Sequence, residues 1–219
     1  MRKRRTLGMI VVLGVIGSLL ASTAALAQDS STPATAEAVT FDIGLDSDIT
    51  SLNPVNLCCG PDYEVMNLMY DIAIGYDNDT LEAAPSIVSS WEHSEDYLDW
   101  TMNVVEGATF NDGTPLTAED VAFSFAFIAD NKMPFYKDYF PFEPTFEVVS
   151  PTQFIWHAQE PTFAPEVPAY APVLPKHIWD EFNSAEDPKV AAKQFTNENP
   201  IGSGPVSYTH LTLPTNSRV

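Results

Sequence analysis

Hydrophobic positions along the chain follow two periods. Leu98, Trp100, Met102 and Val104 alternate with their neighbours, the two-residue period of a strand with one buried face, and a strand is expected over about 97–105. Val65, Leu68, Met69 and Ile72 recur at i, i+3, i+4 and i+7, which predicts a helix over about 62–74. Val121, Phe125 and Ile128 line one face of a second helix, about 117–130. Thr117-Ala118-Glu119-Asp120 opens it with a hydroxyl at the N-cap and an acid at the third helical position. Phe41 to Leu45 alternates weakly and is expected as a strand over 41–46, broken by Ser51-Leu52-Asn53-Pro54. Strands near 145–149 and 153–158 flank Ser150-Pro151-Thr152 as a hairpin. Asn111-Asp112-Gly113 is a tight-turn signal, Lys176 to Trp179 a short helix, and 199–205 a glycine turn. Helix and strand signals interleave, so the fold class is α/β (mixed α+β), with mixed sheets and flanking helices.

The two ends have their own patterns. Arg2 to Arg5 precede an uncharged apolar run of 14 residues, Leu7 to Leu20, and Ala25-Leu26-Ala27 ends in a small-x-small site. That is the layout of a secretory signal peptide. As a helix the run spans only about 21 Å, short of a hydrocarbon core of about 30 Å. Residues 1–27 are therefore expected to be cleaved, giving an exported, soluble protein, and 28–40 to be a flexible leader.

Composition changes the picture at residues 28–205, which hold all 30 acids, five Lys and no Arg, a net of −25. So acidic a chain is a poor phosphate-backbone binder, and no nucleic-acid partner is expected. With 45% hydrophobic and 11% aromatic residues it can build a core. No G-x-S-x-G, H-E-x-x-H or Walker loop occurs, and the four histidines lack metal-ligand spacing, so neither catalytic residue, metal nor cofactor is assigned. Asp77-Asn78-Asp79-Thr80 reads as a plain turn rather than a calcium loop, and Met66 and Met69 as core. Glu92, Glu95, Asp96 and Asp99 read as a solvated rim. Cys58 and Cys59 are adjacent; a vicinal disulfide, free thiols and pairing with a cysteine not present in this sequence are all open. Residues 133–146 hold six aromatics among three prolines, a ligand wall or lobe packing.

These residues resemble the family-5 extracytoplasmic solute-binding proteins of ABC importers, with oligopeptide-, dipeptide- and nickel-binding members. The resemblance runs from Leu52-Asn53-Pro54 through Ala84-Pro85, Ser89-Ser90-Trp91-Glu92-His93-Ser94-Glu95-Asp96 and Trp100-Thr101. It continues through Gly107 to Val121 and Leu174-Pro175-Lys176-His177, ending at Gly202-Ser203-Gly204-Pro205. Met102-Asn103-Val104-Val105-Glu106 departs from the family's usual Leu-Arg before its glycine. The resemblance implies a two-lobed protein that closes on a solute by hinge motion and docks on a membrane permease. Residues 41–205 would be an incomplete N-terminal lobe of such a protein. It implies a monomeric, extracytoplasmic receptor for a peptide or similar small solute, and no enzyme. The loop after Leu-Asn-Pro would face the cleft, which makes Asn56, Cys58, Cys59 and Tyr63 candidate ligand contacts, with Tyr136, Tyr139 and Tyr170 added by position. A secreted hydrolase with an unrecognised acid/base pair is the alternative, and a structural or adhesive surface protein a third reading.

The resemblance stops at Pro205. Val206 to Val219 carries no acid, and Val206 to Thr215 resembles the translation of a transposon-end sequencing adapter, so 206–219 is expected to be a non-native tail. A lobe ending there is expected to be poorly stable and unable to bind by lobe closure.

Overall fold

The computed structural model describes residues 42–136, 138, 140, 144–161 and 171–207. Residues 1–40, expected to be signal peptide and leader, together with Phe41, Tyr139, Phe142, Tyr170 and the residues from Tyr208 onward lie outside them. Asp42 and Ile43 are exposed, and 42–46 form no strand. Ile43 and Leu45 are exposed at 55% and 37%, and among the described residues no strand pairs with them, so the weak alternation has no sheet to join.

Helix α1, Gly60–Met69, starts two residues earlier than its periodicity suggested, because Pro61 preorganises the first turn, where its missing N–H costs nothing. It also stops earlier. Tyr70 is extended (φ −122, ψ 129), and the chain runs on into strand β1, Ile74–Tyr76. Ile72 is therefore outside the helix, and the buried stripe is Asp62, Met66 and Met69, not the expected Val65, Leu68, Met69 and Ile72. Strand β2, Ala83–Pro85, pairs antiparallel with β1 around a turn in which Asp77 Oδ1 accepts the amides of Asp79 and Thr80 at 3.0 and 2.8 Å.

The main sheet has four strands in the order β3 (Val88–His93), β4 (Asp99–Val104), β6 (Gln153–His157), β5 (Thr145–Ser150). Every described pair is antiparallel rather than mixed, because β3–β4 and β5–β6 are joined by short hairpin connections. In β4, Trp100, Met102 and Val104 point inward, as their alternation predicts, and Phe154 and Trp156 of β6 share that face.

Helix α2, Ala118–Asp130, packs Val121, Phe125 and Ile128 on the sheet, all at most 2% exposed. Phe125 has ring centroids of Phe140, Phe146 and Phe154 at 5.8, 5.9 and 6.2 Å, so the described aromatics after Met133 mostly complete the core. Lys176–Trp179 (α3), a 3-10 turn over Asp180–Ser184 and Pro188–Gln194 (α4) close the described chain. Among the described residues no helix is long and apolar enough to cross a membrane.

The sequence blocks that carry the family resemblance bind one another. Asp120 Oδ2 accepts both the amide and the hydroxyl of Thr117, at 2.9 and 3.0 Å, while its Oδ1 accepts the Lys176 amide at 3.1 Å. The first helical amide, Ala118, finds Pro151 O at 2.8 Å in the β5–β6 turn. Lys176 Nζ reaches Glu119 at 2.5 Å, and His177 Nε2 lies 2.9 Å from Asp112 Oδ2. Gly113 takes the positive φ (+86) that the turn after Asp112 requires. Asn111 then bonds to Gly202 O and Pro200 O, at 2.9 and 3.2 Å. The glycines of Gly202-Ser203-Gly204 lie against the C-terminal end of α1, where Gly204 and Val206 donate to Met69 O and Leu68 O, both at 2.9 Å. A Cβ on Gly202 would fall 2.1 Å from Met69 O, which only glycine avoids.

Candidate functional site

The loop before α1 is shaped from inside the helix. Asp62, at the third helical position and 1% exposed, accepts Thr50 N at 2.6 Å, Thr50 Oγ1 at 2.7 Å, Cys58 N at 3.1 Å and Ser51 N at 3.4 Å. Burial pushes its carboxyl up, but the bonds from Thr50, Cys58 and Ser51 outweigh it and hold the group below its ordinary value. A second anchor is Asn53 of the Leu-Asn-Pro block, 1% exposed. Its Oδ1 accepts Val55 N at 3.0 Å, and its Nδ2 donates to Ala192 O and Phe195 O at the end of α4, at 2.7 and 2.8 Å. Asn197 answers from the other side, donating to Leu52 O at 2.8 Å and Tyr70 Oη at 2.9 Å. Burial raises the Tyr70 hydroxyl to about 12, and the bond from Asn197 opposes that shift.

Between the two anchored segments lies a cavity of about 630 Å³. Thr50, Ser51, Asn56 and the ends of α4 and its following turn, Lys193, Gln194, Thr196 and Glu198, supply its polar wall. Ile49, Leu52 and Phe195 supply the apolar part. The volume falls in the range of small-molecule sites, about 300–1,000 Å³, and the lining mixes hydrogen-bonding groups with one charge of each sign.

Of the candidates read from the sequence, Asn56 lines this cavity. Cys58 and Cys59 sit on the same loop as a vicinal disulfide, one of the three states left open. Tyr63 stacks on Phe135 with ring centroids 5.4 Å apart, one turn along α1 from Cys59. Tyr136 is a correction: it is fully buried, and its hydroxyl donates to Pro54 O at 3.0 Å, so it holds the Leu-Asn-Pro turn from behind. Tyr139 and Tyr170 lie outside the described residues. The second wall, 193–198, was missed. It follows the loop by about 140 positions, and no spacing in the sequence signals that Asn53 and Asn197 clamp the two together.

Cys58, Cys59 and Asp62 are near enough to share an ion, with ligating atoms within 4.8 Å of one another. In the oxidised pair neither sulfur is a thiolate, and the Asp62 oxygens already accept four hydrogen bonds, so the arrangement as it stands offers a cation little.

Helices flanking an antiparallel sheet, returning through α4 to a polar cavity, form part of one lobe of a periplasmic-binding-protein fold. The ABC transporter substrate-binding protein CtaP of Listeria monocytogenes superposes with a TM-score of 0.61 at 29% identity, over 75% of this chain and 33% of CtaP. A dipeptide-binding protein from Pseudoalteromonas, solved with Met-Leu, gives 0.61 at 21% identity over 75% of this chain and 36% of that one, a likeness of fold alone. In sequence, the periplasmic oligopeptide-binding protein OppA of Escherichia coli is 30% identical over 116 residues, 52% of this chain and 21% of OppA. Residues 82–212 match the bacterial extracellular solute-binding proteins, family 5, and the chain belongs to that family. It spans about a fifth of OppA's length and a third of CtaP's.

Proposed function

We propose that this chain forms part of an extracytoplasmic receptor that binds a small peptide or similar zwitterionic solute and delivers it, as a monomer, to an ABC import permease. The observation that carries the reading is the cavity between residues 49–56 and 193–198 in a chain of this family. Lys193 and Glu198 give it one cation and one anion, the complement of a free carboxylate and a free ammonium. Thr50, Ser51, Asn56, Gln194 and Thr196 add neutral partners of the kind a peptide backbone uses. OppA carries oligopeptide binding in its name, which supports the same class. On this reading the Tyr63–Phe135 pair forms an aromatic ledge near the cleft mouth, and the opposing lobe corresponds to the part of the relatives that this chain does not span. The basic–apolar–small N-terminus supports export with cleavage after Ala27.

The test is a thermal-shift screen of di- to pentapeptides on the longest gene product that contains these residues, followed by calorimetry. Free peptides are expected to raise Tm, and capping their amino or carboxyl end to remove most of the shift. Lys193→Ala and Glu198→Ala should each weaken binding about tenfold or more, with no change in the unliganded Tm. Binding untouched by both substitutions would place the solute elsewhere.

A further inference from the structure

The chain contains two cysteines, and they are neighbours joined to each other. A bridge between adjacent residues encloses no intervening chain, so it restricts the unfolded state little and ties no distant elements together. Its position suggests a different use. Cys58 is exposed, and Cys59 is half-buried at the N-cap of α1. The Cys58 amide donates to Asp62 Oδ2 at 3.1 Å, and the Thr50 hydroxyl donates to the same oxygen at 2.7 Å and lies 3.3 Å from Cys58 Sγ. Thr50 and Asn56 line the cavity. The sulfur pair, the carboxylate and the cavity wall thus share one set of hydrogen bonds.

We propose that Cys58–Cys59 is a thiol–disulfide exchange site whose state sets the conformation of the cavity wall at 50–58, with dithiols as its reductant class and a trivalent thiophilic metalloid as a ligand of the reduced pair. Its consequence for solute binding rests on the cavity being the solute site. In the exchange, one thiolate of the dithiol attacks the exposed Cys58 sulfur, and the S–S bond breaks with Cys59 leaving as a thiolate that takes a proton. The second thiol of the reductant then displaces Cys58. The bridge has gained two electrons and two protons, and the dithiol has become a disulfide. The N-terminus of α1 favours the departing Cys59 thiolate. Opening the bridge frees the 58–59 peptide to rotate, which releases the Cys58 amide from Asp62 and, with the carboxylate no longer held, the Thr50 hydroxyl and amide as well. Two thiols on adjacent residues can then hold one arsenic atom; an organoarsenic oxide gains two As–S bonds and loses its oxygen as water.

The full chain is treated with dithiothreitol under native conditions, its thiols are counted, and phenylarsine oxide is added. Mass and amide hydrogen exchange are followed throughout. Two thiols are expected without denaturant, and one arsenical per reduced chain. Exchange at the Thr50 and Cys58 amides should quicken about tenfold or more on reduction, and slow again on reoxidation, while the β4 and β6 amides stay unchanged. Thiols that appear only in denaturant, a reduced chain that takes no arsenical, or equal exchange at Thr50 and Cys58 in both states would each overturn the proposal. A Cys58→Ser/Cys59→Ser chain should exchange like the reduced form and take no arsenical. Should that variant fail to fold, Asp62→Ala serves: it should still reduce and take the arsenical, with Thr50 exchange already fast when oxidised. Slow Thr50 exchange in that oxidised variant would refute the link through Asp62. No arm measures solute binding, so failure here leaves the peptide titration standing, and the reverse holds too.

Discussion

Replacing Asp62 with alanine should cost about 3–4 kcal/mol and loosen the loop before α1 while leaving the sheet folded. Three of its accepted bonds are 2.6, 2.7 and 3.1 Å long, and a fourth, at 3.4 Å, is weak. A hydrogen bond to a charged acceptor contributes about 1.5–3 kcal/mol net. Thr50 and Cys58 are exposed, so their donors can rehydrate once the carboxylate is gone, which places each bond near or below the lower end. Against a domain stability of about 5–15 kcal/mol, the loss is a large fraction. The sign with pH follows from the depressed carboxyl value. The folded chain binds the Asp62 proton more weakly than the unfolded one, so the contribution is fully present above the unfolded value and is lost as pH falls through the folded one. The difference between wild type and Asp62→Ala should therefore be constant from pH 5 to 7 and shrink below about pH 4. Urea unfolding followed by tryptophan fluorescence at pH 7 and pH 3 measures it. A loss under 1 kcal/mol at pH 7, or an acid slope as steep in Asp62→Ala as in wild type, would refute the reasoning.

Gly202→Ala should destabilise by about 2 kcal/mol or more, since its Cβ meets a backbone carbonyl that no side-chain rotation can move, whereas Gly60→Ala, with open space around it, should raise stability by about 0.4–1 kcal/mol; chemical denaturation compares them directly. Asp120→Ala should cost about 3 kcal/mol because it uncaps α2 and releases the Lys176 amide together, and a Thr117→Ala/Asp120→Ala cycle should be strongly non-additive. Asn197→Ala should cost about 2–3 kcal/mol, from two lost bonds and a positive φ (+51) that alanine tolerates poorly, and calorimetry should show Tm falling by several degrees.

How much of this was legible in the sequence depends on how local the physics is. The period of Trp100, Met102 and Val104 located β4, and Thr117 with Asp120 located the start of α2, because both signals act within a few residues. The α1 stripe misled because Ile72 continued the apolar pattern past Met69, into chain whose carbonyls pair elsewhere, as when Asp71 O accepts the Val173 amide at 2.9 Å. The vicinal disulfide could not be read from Cys58-Cys59, since adjacency is compatible with thiols as well. Tyr136 is a candidate ligand contact in the sequence because a tyrosine among aromatics offers area and a hydroxyl in a ligand wall and in lobe packing alike. Only Pro54 O, 82 positions away, decides that the hydroxyl is spent inside.

The blocks that carry the family resemblance are, in space, a set of clamps. Asp112 meets His177, Asp120 meets Lys176, Asn111 meets Gly202, and Asn53 meets the end of α4. Each joins segments far apart in sequence; Asn53 and the Asp120–Lys176 bond do so in buried or part-buried settings, where a polar group must be matched or cost free energy, while Asp112 and His177 meet at the surface. This explains why such blocks report fold so well and ligand so poorly. Their side chains are consumed in holding the walls, while Asn56, Gln194 and Glu198 at the cavity belong to no clamp between blocks and are free to differ between solutes, and Thr50 is held by Asp62. Specificity in this chain should then move with substitutions at Asn56, Gln194 and Glu198, and stability with substitutions at the clamps. A substitution at Asn56 or Gln194 that alters peptide preference without altering Tm, beside one at Asn53 that lowers Tm, separates the two roles.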